Sequence, residues 1–178
     1  SARLITSRVE LIGGDRALGE IGDYLIENEK IRVVIQKEGY SRGFGVYGGS
    51  LIDADRRRPY EKGTSGAGLG NDAFGELFPA FFLQASAVDQ VKIIDDGSSG
   101  ASAKVEASGE AGDFLELIGY LNRAALGSNE DVTKVDSKPQ IRYSTTYEVA
   151  PGASHVAISF KVTNITKDVT LKFPGDDA

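Results

Sequence analysis

The chain of 178 residues contains no cysteine, no methionine and no tryptophan, and only one histidine. The missing cysteine excludes disulfides, thiolate metal sites and Cys nucleophiles together. The lone His155 excludes a two-histidine acid–base pair and any zinc site built on several imidazoles. A Ser-His-Asp triad would need that one ring to be oriented by partners. No run of roughly 18 apolar residues occurs, so no segment reads as a membrane-spanning helix. A basic excess is also missing. The formal charge is −6, which argues against a nucleic-acid partner, because phosphate binding needs a positive field. The one basic run, Arg56-Arg57-Arg58, follows Asp53 and Asp55 and reads as a solvated turn. No secretory leader is visible. The chain opens Ser1-Ala2 with no Met and is expected to be a processed or recombinant piece of a longer polypeptide.

What is present is ordinary in amount and distinctive in pattern. Hydrophobic residues make up 40% and charged residues 26%, enough for one domain, 1–178, with a real core. The clearest segment is Ile141 to Asn164, two alternating stretches joined by Ala150-Pro151-Gly152-Ala153. Ile141, Tyr143, Thr145, Tyr147 and Val149 share one face. Val156, Ile158, Phe160 and Val162 share a face of the second stretch. Alternation around a Pro-Gly turn predicts an antiparallel hairpin with one buried side. Tyr147, Ile158 and Phe160 are expected inside, and His155 and Lys161 outside.

The same grammar recurs along the chain. Arg8 to Ile12 is a short strand candidate. Asp23 to Gln36 reads as a second hairpin around Glu27-Asn28-Glu29. Further strands are expected at Gly49 to Ala54, within Phe81 to Asp95, at Ala103 to Ser108, Phe114 to Leu121 and Val169 to Phe173. Asp95-Asp96-Gly97 reads as a turn. Ala17 to Ile21 and Arg123 to Leu126 are too short for helices. About eight to eleven strands with turn signals at short intervals predict an all-β, antiparallel two-sheet sandwich.

One region breaks the rhythm. Glu38 to Pro79 is Gly-rich, has one clear strand, and holds Tyr40, Phe44, Tyr47, Tyr60, Phe74 and Phe78. Long loops of this kind either cross between sheets or carry function. Its glycine runs, Gly43-Phe44-Gly45 and Gly66-Ala67-Gly68-Leu69-Gly70, lack a following Gly-Lys-Ser/Thr and a strand–helix setting, so neither reads as a phosphate cradle. The acids at Asp53/Asp55, Asp95/Asp96 and Asp176/Asp177 match no calcium-loop spacing. No metal or other cofactor is implied. Asn164-Ile165-Thr166 matches the glycosylation sequon.

The order of DYLIENEKIRVVIQ (23–36), GGSLIDAD (48–55), VDQVKIIDDGSSGASAKVEASG (88–109) and YSTTYEVAPGASHVAISFKVTN (143–164) resembles the galactose-mutarotase-like β-sandwich domains found N-terminally in bacterial extracytoplasmic multidomain proteins. The resemblance implies a supersandwich-like fold, an extracytoplasmic location and a sugar-related role beside a catalytic domain. Mutarotase catalysis uses histidines and a carboxylate, and the chain offers one histidine on a polar strand face, so no catalytic residue is carried over.

Two functions follow as expectations. The first is a non-catalytic module that binds carbohydrate or contacts another domain of the same polypeptide. Tyr40, Tyr47 and Tyr60 would provide stacking faces, and Arg42 and Asp72 would meet hydroxyls. The second is a glycan-active enzyme using two acids from Asp53, Asp55, Asp72 and Glu76. These would face each other about 5 Å apart for retention or roughly 6.5–9.5 Å for inversion.

Overall fold

A computed structural model describes residues 1–57, 70–81, 84–114 and 140–166. They form two antiparallel sheets. The first runs β1 (Ala2–Leu4), β2 (Tyr24–Glu27), β3 (Ile31–Ile35), β4 (Leu51–Arg56). The second runs β5 (Ala80–Phe81), β6 (Gln84–Asp95), β7 (Ala103–Asp113), β8 (Ile141–Val149), β9 (Ala157–Asn164). The fold is therefore the all-β, two-sheet sandwich that alternation predicts. Among the described residues the only helical feature is a 3-10 turn at Arg8–Glu10, where a strand was expected. Glu10 Oε2 accepts the backbone N–H of Thr6 (2.9 Å) and of Ser7 (3.1 Å). Such local side-chain bonding gives the backbone an alternative to a ladder.

The hairpin of β8 and β9 forms in the expected register, with Tyr147 opposite Ile158 and Tyr143 opposite Val162. Gly152 takes φ 75° in the turn, a conformation that glycine adopts without steric cost. Ile141, Tyr143, Thr145, Tyr147 and Val149 are all buried, and His155 and Lys161 are exposed. The second half of the expectation is corrected. Ile158 is 38% exposed and Phe160 is only half-buried, stacked on Tyr143 at 5.2 Å between ring centroids. The reason is position: β9 ends the strand order of its sheet among the described residues, so its inward face extends past the strands packed opposite.

The inter-sheet core joins Ile26, Val33, Ile35 and Leu51 of the first sheet to Val91, Val105, Ala107, Tyr147 and Val149 of the second. Fully burying one such side chain stabilises by roughly 1.5–3 kcal/mol. The first sheet is also covered on its other face. Leu25 and Val34 pack there against Ile5, Leu11 and Ile12. A strand buried on both sides reads as a continuous apolar run rather than an alternation, and this is why Leu25-Ile26 and Val33-Val34-Ile35 are unbroken.

Remaining boundaries shift modestly. β4 starts at Leu51 because Gly49, at φ 76°, belongs to the preceding turn. β6 is one long strand with two bulges. Asp95 to Gly97 is a turn, closed by the Gly97 N–H on Asp95 Oδ1 at 2.8 Å. The strand expected at Val169 to Phe173, the segment Arg123 to Leu126 read as too short for a helix, and all but the first residue of Phe114 to Leu121 lie outside the described residues. No helix among the described residues is long and apolar enough to cross a membrane.

Candidate functional site

The anomalous region between β3 and β5 begins as a small hairpin, residues 39–48. Tyr40 pairs with Tyr47. The Ser41 N–H bonds the Val46 carbonyl at 3.1 Å, and the Gly48 N–H bonds the Gly39 carbonyl at 2.7 Å. Too few ladder bonds exist here to hold a hairpin alone. Side chains supply the rest, and the Gln36 amide donates to the Tyr40 carbonyl at 3.0 Å. The Glu76 carboxylate lies beneath the hairpin and accepts the Ser41 hydroxyl, the Gly45 N–H and, at 2.7 Å, the Ser50 hydroxyl. A Cβ at Gly43 would collide with that carboxylate, so glycine is what permits the approach. Arg42 reaches outward to the loop 18–23. It donates to the Leu18 carbonyl at 2.9 Å and to Asp23, and it lies 3.5 Å from Glu20.

The outer face of the first sheet carries three fully buried carboxylates, Asp23, Asp53 and Asp72. Each receives backbone N–H groups, all but one of them from irregular chain. Asp53 accepts Leu18 (2.7 Å) and Gly19 (2.9 Å). Asp23 accepts Glu20 (2.7 Å) and Lys37 (3.0 Å). Asp72 Oδ1 accepts Ala54 (3.0 Å) and Phe74 (3.1 Å), while its Oδ2 has no hydrogen-bond partner. Burial pushes the Asp53 carboxyl up to about 6. The two N–H bonds pull it down, and the neighbouring charges of Asp72 and Asp23 push it further up. Asp55 accepts the N–H groups of Arg56 (2.8 Å) and Asn71 (2.7 Å). Among the described residues, no group of three or more His, Asp or Glu side chains is arranged to hold a metal.

The structure places the sequence-selected residues in different settings. Tyr40 stands 87% exposed at the hairpin. Tyr47 is half-buried and lies over β7, where a Cβ at Gly112 would sit 2.5 Å from its hydroxyl. Arg42 shares the hairpin but is committed to loop 18–23. Asp72 lies apart, against Gly13, Gly14 and Arg16. Tyr60 is outside the described residues. Of the four acids considered for glycan cleavage, Asp53 and Asp72 are wholly buried, and Asp55 and Glu76 are bonded to backbone or hydroxyl groups.

Sequence reasoning passed over Phe44. It is 70% exposed, with its ring 5.9 Å from that of Phe114 in an edge-on arrangement, and Phe114 lies 5.1 Å from Phe78. The signal was its setting, Gly43-Phe44-Gly45: an aromatic between two glycines has no flanking side chains to bury it. Tyr40 and Phe44 thus project from one short hairpin whose base is fixed by Glu76 and Arg42. Comparison with protein-family models, with curated proteins and with solved structures returns no match.

Proposed function

We propose that the chain is a non-catalytic β-sandwich module of a larger secreted or envelope bacterial protein, and that it binds carbohydrate through hairpin 39–48. The observation that carries this reading is the pair Tyr40 and Phe44, 87% and 70% exposed on a loop that a half-buried glutamate and an arginine clamp hold in place. Exposed rings on a fixed base offer apolar area at little ordering cost, which suits stacking on a pyranose face. In this reading Arg42 and Glu76 position the platform, Tyr47 anchors it to the second sheet, and ligand contacts come from the two projecting rings. The envelope setting rests on the sequence resemblance alone.

The test is a glycan-array screen followed by calorimetry with Tyr40→Ala, Phe44→Ala and the double variant. Loss of both rings is expected to weaken binding by about fivefold or more, at about 0.5–1.5 kcal/mol per stacked ring. Undiminished binding by the double variant would place the site elsewhere. Failure to bind any glycan would leave a spacer or protein-contact role.

The alternative, a carboxylate-dependent glycan-active enzyme, has one observation in its favour: a carboxyl, Asp53, poised near 6, the range of a general acid. Against it, Asp53 is fully buried and both its oxygens are occupied by backbone N–H groups. Glycan hydrolysis that disappears in Asp53→Asn would reinstate it.

A further inference from the structure

We infer that a crevice beneath hairpin 39–48 is a specific site for a single structural water that ties the hairpin to the second sheet. The crevice is roofed by Gly45–Ser50 and floored by β6 and β8, with Ser86 and Thr145 on its floor and Phe78 and Val88 as apolar walls. Its total volume, open mouth included, is about 300 Å³, yet the space that admits water centres is only about 10 Å³. That is room for about one water and too little for a sugar ring.

The chemistry of the floor fits that occupant. Ser86 is 8% exposed, and its hydroxyl oxygen is buried without a hydrogen-bond partner. A buried hydroxyl left unpaired costs free energy that one bonded water removes. Ser86 supplies one partner. Thr145 and the backbone of Gly45–Ser50 also line the crevice, and a hydroxyl or carbonyl oxygen carries two acceptor positions. The site draws on the second sheet and on the hairpin, so a water there bridges elements that the strand ladders leave unconnected. It stands independently of the carbohydrate reading, since neither Tyr40 nor Phe44 lines the crevice.

The test is a crystal structure of the protein at a resolution that shows ordered solvent, with Ser86→Ala alongside. The wild-type protein should show one solvent peak about 2.7–2.8 Å from Ser86 Oγ, as well ordered as the surrounding side chains. In Ser86→Ala, which removes one oxygen and adds no bulk, the peak should be lost or displaced. The amides of Gly48 and Gly49 should then exchange about fivefold faster in solution, the change expected when one hydrogen bond of ordinary strength is lost. An empty crevice in the wild-type structure, or a peak that keeps its position and order in Ser86→Ala, would overturn the assignment. Unchanged exchange at Gly48 and Gly49 would overturn the bridging role.

Discussion

The two sheets of the sandwich are held by different physical means. In the second sheet, long strands pair residue by residue, one face is apolar, and the outer face is laced by charges directly opposite one another. Lys92 meets Glu106 at 2.9 Å and Lys104 meets Glu148 at 3.3 Å. Such exposed pairs contribute little, about 0.2–1 kcal/mol each, so the buried face dominates. In the first sheet the strands are short, and irregular chain covers the outer face. That chain has backbone N–H groups with no ladder to join, and acids accept them: the buried Asp53, Asp23 and Asp72, and the half-buried Glu76 beneath the hairpin. The difference teaches that an acid in a Gly-rich loop need not be chemistry in waiting. Where regular pairing ends, a carboxylate is the compact acceptor that satisfies two or three amides at once.

The comparison would break first at Tyr147. Its ring is fully buried in the inter-sheet core, and its hydroxyl donates to the Gly49 carbonyl at 3.0 Å. Tyr147→Ala should cost about 3–5 kcal/mol in urea unfolding. A loss below about 1 kcal/mol would mean that the second sheet does not depend on its buried face as described.

Asp23→Ala should be the next largest, about 2–4 kcal/mol. It strands the Glu20 and Lys37 amides and removes one acceptor of the Arg42 clamp. The loss should be local, with hydrogen exchange rising in loop 18–23 and hairpin 39–48 before β7 and β8 respond. Uniform acceleration across both sheets would erase the proposed division between acid-held and apolar-held regions.

The pH dependence sharpens the same contrast. The folded Asp53 carboxyl at about 6 lies above its unfolded value of about 3.9, so the native state holds the proton more tightly. That contribution is fully present below about pH 4 and is lost as pH rises to about 6. A difference of about two pH units corresponds to a loss approaching 3 kcal/mol. Glu10 acts in the opposite sense. Arg3 and the Thr6 amide hold its carboxyl down at about 2, so its contribution disappears as pH falls from its ordinary value toward 2. Stability should therefore peak near pH 4–5, and Asp53→Asn should flatten the decline above the peak. Stability that climbs steadily from pH 4 to 7 would refute this assignment.

The smallest effect separates two tyrosines of one strand. The Tyr143 hydroxyl is buried without a partner, whereas that of Tyr147 is bonded. Tyr143→Phe should be neutral within about 0.5 kcal/mol or slightly stabilising, and Tyr147→Phe should lose about 1 kcal/mol. Equal losses by calorimetry would show that the Tyr143 hydroxyl is engaged after all.

Much of the second sheet was legible in advance because its information is local. Alternation at Ile141 to Val149 names the buried set directly, and Ala150-Pro151-Gly152 marks the turn. The face of β9 was misjudged because alternation tells which residues share a side, not whether another layer covers that side. The acids were harder still. Nothing in the spacing of Asp23, Asp53 and Asp72 shows that each will meet amides from segments distant in the chain, such as Leu18 with Asp53. Arg42 reads as a free ligand group until the loop that it clamps is in place.

Local pattern is enough to specify the class of this protein: an all-β chain, without thiol or multi-histidine chemistry, with one Gly-rich region unlike the rest. Period two and turn residues encode that much, since both act over a few neighbouring positions. Long-range packing sets which side of each strand is covered, which carboxylates serve the backbone, and that Tyr40 and Phe44 stay in solvent on a fixed hairpin. Those outcomes depend on contacts between residues far apart in the chain, and no local pattern specifies them.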